Sequence, residues 1–251
     1  MCNVNRLASA AGLVFATLLV TAPLSHSLEK QPVSVYHARR VALGAKLHGG
    51  VAVLFAAEEA QLDFMPYRQD EDFYYLTGWN EPGAALMIVA SAPEAQTPRT
   101  YKEILFLPTR DLRLEKYTGA KLDAASPGVA ETAGVDAVQP MTELAGVLNG
   151  LIAADRSLGR NVWTQPEAPQ ARDLLGFTAA TLGKDENTVA GRDVTKPVAE
   201  LRVVKDLGEL ALIRKGTEAS IRAQRVMMKA AKPGVTERAL AGKMMEAWME
   251  G

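Results

Sequence analysis

Apolar residues recur at helical spacing from Val33 to His48, and the Gly49-Gly50 pair that follows is a helix stop. Three short apolar runs come next: Val51 to Ala57, Ala84 to Ala90, and Lys102 to Leu107. Their length and near absence of polar residues predict strands buried on both faces. Ser91 to Pro98, a polar stretch with two prolines, lies between the second and third runs and predicts a hairpin turn. Phe73-Tyr-Tyr-Leu-Thr77 is rich in aromatic and β-branched residues and predicts a strand. Gly78 and the Asn80-Glu-Pro-Gly83 turn would join it to the next apolar run as a core hairpin. Further along, Thr142 to Ala153 and Glu167 to Leu182 read as helices, and Asn161 to Thr164 reads as a strand. Strands mixed with helices, without a sustained repeat, give an α/β class with a mixed sheet from about Leu28 to Gly191.

From Lys196-Pro197 onward the texture changes. Pro197 suits a helix start, Asp206 suits a helix cap, and Leu207 to Ala231 places Leu210, Ile213, Thr217, Ile221 and Met228 near one face. Lys232-Pro-Gly234 breaks that helix, and Thr236-Glu237 begins another in which Leu240, Met244 and Trp248 align. An apolar stripe must be buried against something. Residues 192–251 therefore read as a linker and the first helices of an incomplete second domain, with residues 28–191 as the first.

Residues 1–27 form a third segment. Arg6 precedes an apolar run from Leu13 to Val20, and small residues at Ser25 and Ser27 suit a cleavage region, the pattern of a signal peptide. The stretch is shorter than the ~20 residues of a bilayer-spanning helix. The expected location is secreted or periplasmic, with no membrane attachment after cleavage. Its only cysteine, Cys2, would leave with the signal, so no disulfide scaffold is available. Across the whole chain, 28 Lys+Arg against 29 Asp+Glu, with 48% hydrophobic residues, exclude disorder and a polyanion-binding surface. Nucleic acid is not an expected partner, because no dense basic patch with stacking aromatics occurs.

The residues restrict the chemistry further. His37 and His48 share a helix face but stand about 16 Å apart along it, too far to hold one metal ion. His48 would favour the negative helix end, and His37 a half-exposed surface position. Asp70-Glu71-Asp72 lacks the spacing of a calcium loop and is expected to cap or solvate. No His-Glu-x-x-His, Gly-x-Ser-x-Gly, phosphate-binding glycine loop or cysteine pair occurs.

The segment Tyr67 to Gly83, YRQDEDFYYLTGWNEPG, carries more information. Arg68, Gln69, Phe73, Tyr75, Leu76, Thr77, Gly78, Glu81 and Pro82 together resemble the N-terminal domain signature of the aminopeptidase P family, the Xaa-Pro aminopeptidases. Leu107-Pro-Thr-Arg-Asp111 is similar to the family's strand-end Arg-Asp element. Glu115-Lys-Tyr-Thr-Gly119 is similar to its Glu-x-Trp-x-Gly segment, with Tyr117 in the tryptophan position. Glu200 to Lys205, with Glu209 and Arg214, resembles the family's linker and first catalytic-domain helix. The resemblance implies an α/β N-domain of creatinase type that shapes a substrate cleft, followed by a pita-bread domain. In that second domain two Asp, one His and two Glu hold two divalent ions, usually manganese, that activate water to release the residue ahead of proline. None of those ligands is assignable between residues 1 and 251, so no bound metal and no catalytic residue is expected here, and the chain reads as truncated. Tyr117 is the candidate substrate-cleft contact, reaching a neighbouring copy's cleft if a homo-oligomer forms. The implied partner is a peptide with proline at its second position. A non-catalytic oligomerisation or peptide-binding module, and a prolidase-like dipeptidase fragment, are the competing readings.

Overall fold

The computed structural model describes residues 30–59, 67–182 and 191–250. The chain divides into two units, Met1–Lys30 and Gln31–Gly251, and all the elements below belong to the second. The expected signal segment, 1–27, lies outside the described residues.

Six strands form one sheet: β1 (Val51–Phe55), β2 (Ala85–Val89), β3 (Lys102–Leu107), β4 (Ala137–Pro140), β5 (Val162–Thr164) and β6 (Gly191–Asp193). Their order is β4-β3-β2-β1-β5-β6. The β1/β2 and β2/β3 pairs are antiparallel, and β3/β4, β1/β5 and β5/β6 are parallel, so the expected mixed sheet and the β2–β3 hairpin are present. Every residue of β1 and β2 is buried because the sheet is covered on both sides. Ala52, Leu54, Leu86, Ile88, Leu105 and Leu107 face one layer of helices: α1 (Val33–Lys46), α2 (Glu71–Thr77), α4 (Val129–Ala133) and α7 (Thr195–Val203). Their alternates Val51, Val53, Met87, Ile104 and Phe106 face α5 (Leu144–Ala154) and α6 (Pro169–Leu182). The short α3 (Glu115–Thr118) stands outside both layers, with no buried residue.

Two expectations are corrected. Phe73 to Thr77 is not a strand of a core hairpin but most of α2. The Asp70 carboxylate accepts from Phe73 N at 2.8 Å as N-cap, Glu71 and Asp72 occupy the positive first turn, and Gly78 ends the helix in the left-handed conformation at φ 62°. Phe73, Leu76 and Thr77 then fall on one buried face at i, i+3 and i+4, and that burial overrides their β propensity. Second, His48 lies beyond α1 rather than in its last turn, and it adopts φ 51°. His37 is half-exposed, its Nδ1 3.0 Å from Glu103 Oε1.

The boundary expected at residue 191 falls at the start of β6, which pairs with β5. Packing continues beyond it, since Val194 and Val198 are fully buried in the same core as α1 and α2. After α7, the helices α8 (Leu207–Ala230) and α9 (Glu237–Met249) pack on each other. Their seam runs through Ala219 and Ala223, whereas Ile213, Ile221 and Met228, three residues of the expected stripe, stay exposed. Among the described residues no helix is long and apolar enough to cross a membrane.

Candidate functional site

An open cleft of about 300 Å³ lies beside the C-terminal ends of β1 and β3. Three of the segments singled out in the sequence build it: the Glu81-Pro82-Gly83 turn, Pro108 to Asp111, and Glu115 and Thr118 of α3, with Leu114 just before that helix. Glu58 and Glu59, which follow β1, and Lys121 and Leu122 complete the wall. The convergence comes from strand pairing. The β2–β3 register sets Ala85 opposite Phe106, so the turn before β2 and the loop after β3 emerge side by side. Gly83 takes φ 71° at the turn, and its N–H donates to Ala57 O at 3.2 Å, which brings the end of β1 into the same rim.

Five acidic and two basic side chains line this cleft, a formal −3. Arg110 clamps Glu115 bidentately, with Nε to Oε1 at 2.6 Å and Nη2 to Oε2 at 2.7 Å, which fixes α3 against the loop after β3. The Arg110 hydrogen bonds hold the Glu115 carboxyl below the usual carboxylate range. Pro82, Pro108, Leu114 and Leu122 supply apolar surface. Such a wall suits a ligand that is part apolar and part cationic, as a peptide with a free amino end is. Among the described residues, no cluster of three or more His, Cys, Asp or Glu side chains could hold a metal ion.

The other signature residues support this arrangement rather than line it. Gln69 uses its whole amide: Oε1 accepts from Ala57 N at 2.7 Å and Asp70 N at 2.9 Å, while Nε2 donates to Trp79 O at 3.2 Å and Glu81 O at 3.0 Å. It thereby ties the end of β1 to the turn that carries Glu81 and Pro82. Thr77 Oγ1 donates to Phe73 O at 2.7 Å and accepts from Trp79 N at 3.0 Å. Gly78 admits the Tyr36 ring, whose Cε2 would stand 2.5 Å from any added Cβ. Phe73 and Leu76 are core residues, Tyr75 donates to Leu201 O at 3.1 Å, and Arg68 is an exposed partner of Glu71. Tyr117 sits on α3, but its side chain is 89% exposed and does not line the cleft of its own chain. Glu58, Glu59 and Lys121 were missed in the sequence, and only the position of the first two just after a strand could have signalled them.

A mixed-sheet α/β domain covered by helices on both faces, with an acid-lined cleft beside its strand ends, is the class that this fold and site define. Residues 36–159 match the family model described as "Aminopeptidase P, N-terminal domain". Xaa-Pro aminopeptidase of Escherichia coli is 31% identical over 223 residues, 83% of this chain and 47% of that protein. The low-pH form of E. coli aminopeptidase P superposes with a TM-score of 0.75 at 28% identity, over 88% of this chain and 50% of that one. A zinc-substituted form of the same enzyme in complex with product gives 0.74 at 26% identity over the same shares. The chain belongs to the aminopeptidase P family, whose N-terminal domain it carries. It spans about half the length of the relatives it matches.

Proposed function

We propose that this chain is the N-terminal portion of a Xaa-Pro aminopeptidase-like metallopeptidase, in which the cleft beside α3 borders the path of a peptide with proline at its second position. The observation that carries the reading is the convergence on one rim of Glu81-Pro82, Arg110-Asp111 and Glu115, residues of three separate family-like segments. The described residues do not fit a dinuclear metal centre, so the manganese-assisted hydrolysis of the proposal is assigned to residues outside them. Within the same proposal Tyr117, with exposed Leu112 and Leu114 beside it, contacts a second copy of the chain. The protein is exported to a secreted or periplasmic location, and N-terminal sequencing of the exported form should begin near Leu28.

Two experiments test the reading. The gene region after the codon for Gly251 should encode two Asp, one His and two Glu in catalytic-domain context. Without them, the non-catalytic peptide-binding module becomes the better account. The 251-residue chain with added manganese should release no residue from a Xaa-Pro peptide, and turnover would place a hydrolytic centre within it. If the protein carrying those ligands cleaves only Xaa-Pro dipeptides, the prolidase-like reading replaces the aminopeptidase one.

A further inference from the structure

Between α7 and α8 the chain passes through Val203, Val204 and Lys205, all exposed, with Val204 at 81%. Polar and aromatic contacts clamp both flanks of this short exposed segment. On the α7 side, Arg202 Nη1 bonds Asp72 Oδ1 at 2.5 Å, Nη2 bonds Glu71 Oε2 at 3.2 Å, and the guanidinium lies 5.9 Å from the centre of the Tyr75 ring. On the α8 side, Arg39 Nη2 meets Asp206 Oδ2 at 2.8 Å and Glu209 Oε2 at 3.5 Å, and Gln31 Nε2 donates to Asp206 Oδ1 at 3.1 Å. Arg39 also lies 4.2 Å from the centre of the Tyr75 ring and donates to Tyr75 O at 3.1 Å. Tyr75 is thus flanked by two guanidinium groups that belong to the two anchorages, and its hydroxyl is bonded to Leu201.

Asp206 has two tasks at once. It is the N-cap of α8, accepting from Glu209 N at 2.7 Å in a reciprocal capping box, and it is the anion that Arg39 holds. The buried residues of α8, Ala219 and Ala223, face its partner helix α9, so apolar burial contributes little to holding the α8–α9 pair against the sheet domain.

We infer that Val203–Lys205 is a hinge and that Arg39, Asp206, Glu209 and Tyr75 form an electrostatic latch across it, which sets the direction in which the α8–α9 pair leaves the α/β domain. The latch is separable from the helix: an asparagine at position 206 still caps but carries no charge for Arg39. It is also sensitive to salt through Asp206, whose side chain is 42% exposed.

The test uses the full chain with Cys2→Ser and spin labels on cysteines placed at Glu131 and Glu218, both exposed, one on α4 and the other on α8. At about 0.05 M salt a single narrow label-to-label distance is expected, with loss of that single distance at roughly 1 M as the Debye length shrinks from above 10 Å to about 3 Å. Arg39→Met and Asp206→Asn should each lose the narrow distance at low salt, and Asp206→Asn should do so with unchanged far-ultraviolet helicity. Should Arg39→Met fail to fold, Asp206→Asn decides. A distance that stays narrow in Asp206→Asn at both salt concentrations would overturn the latch, and neither result depends on whether the chain takes part in peptide hydrolysis.

Discussion

Arg40 on α1 and Glu103 on β3 have side chains fully removed from solvent, 2.8 Å apart. Arg40 also donates to Leu76 O at 2.7 Å and to Gly134 O, the carbonyls that close α2 and α4, so one cation joins α1 to β3, α2 and α4. Glu103 in turn takes the Tyr101 hydroxyl at 2.5 Å. Because a buried carboxylate without its cation is costly, Arg40→Met should lower stability by about 3–5 kcal/mol. Arg40→Met with Glu103→Leu should recover much of that loss, and urea denaturation of both variants measures it. Asp155 gives a pH dependence. The Ser157 hydroxyl foremost, and then Arg99, which pairs with it at 2.7 Å, hold the Asp155 carboxyl below the usual carboxylate range. A depressed folded value means stability that is present above the unfolded carboxylate pKa, near 3.9, and lost as pH falls through the folded one. Asp155→Asn should therefore be less stable than the native protein at neutral pH, with the gap in melting temperature closing toward about pH 2.

At the scale of elements, α2 carries the most informative prediction. Asp70 both caps the helix and accepts from Gln165 Nε2 at 2.9 Å, and Gln165 also bonds both backbone groups of Phe55 at the end of β1. Asp70→Ala should cost about 1–2 kcal/mol, with Asp70→Asn much closer to the native protein, as melting curves of the pair will show. The capping role of the Asp70-Glu71-Asp72 stretch was legible in the sequence, whereas Gly78 read as part of a hairpin turn and not as the stop of a helix. The helical period of α2 was not legible either, because seven residues span only two turns and the side chains between Phe73 and Thr77 favour strands. β1, β2 and β3 were legible because burial on both faces leaves a continuous apolar run. β4 and β6 were not, since Ala137–Pro140 and Gly191–Asp193 are short and half-polar and become strands only through their neighbours. The cleft was legible in pieces. The resemblance marked Glu81-Pro82, Arg110-Asp111 and Glu115, but their meeting depends on the β2–β3 register, which no local pattern encodes. On α8 the apolar stripe was identified and its covering was not, because small alanines formed the seam instead.

For the molecule as a whole, the decisive question is where the independently folding part stops. The sequence changes texture at Lys196-Pro197 and divides the domains at residue 191, yet the buried packing of the sheet core runs on through α7. Val194 and Val198 are wholly buried among α1 and α2, Leu201 packs on the same cluster, and β6 extends the sheet through its pairing with β5. Complete burial of each valine side chain is worth about 1.5–3 kcal/mol, and the Tyr75–Leu201 and Arg202–Asp72 bonds would be lost with them. By contrast, α8 and α9 present Leu207, Met228 and Met249 to solvent at 86%, 69% and 73% exposure, a surface that promotes association more than it adds to the core. Residues 28–205 should therefore unfold cooperatively at a urea midpoint close to that of 28–251 and elute with less aggregate on gel filtration. Residues 28–190 should show a clearly lower midpoint, with stability reduced by about 3 kcal/mol or more. If 28–190 matched 28–205 in midpoint, α7 would belong energetically with α8 and α9, and the sheet domain would end at the boundary expected from the sequence.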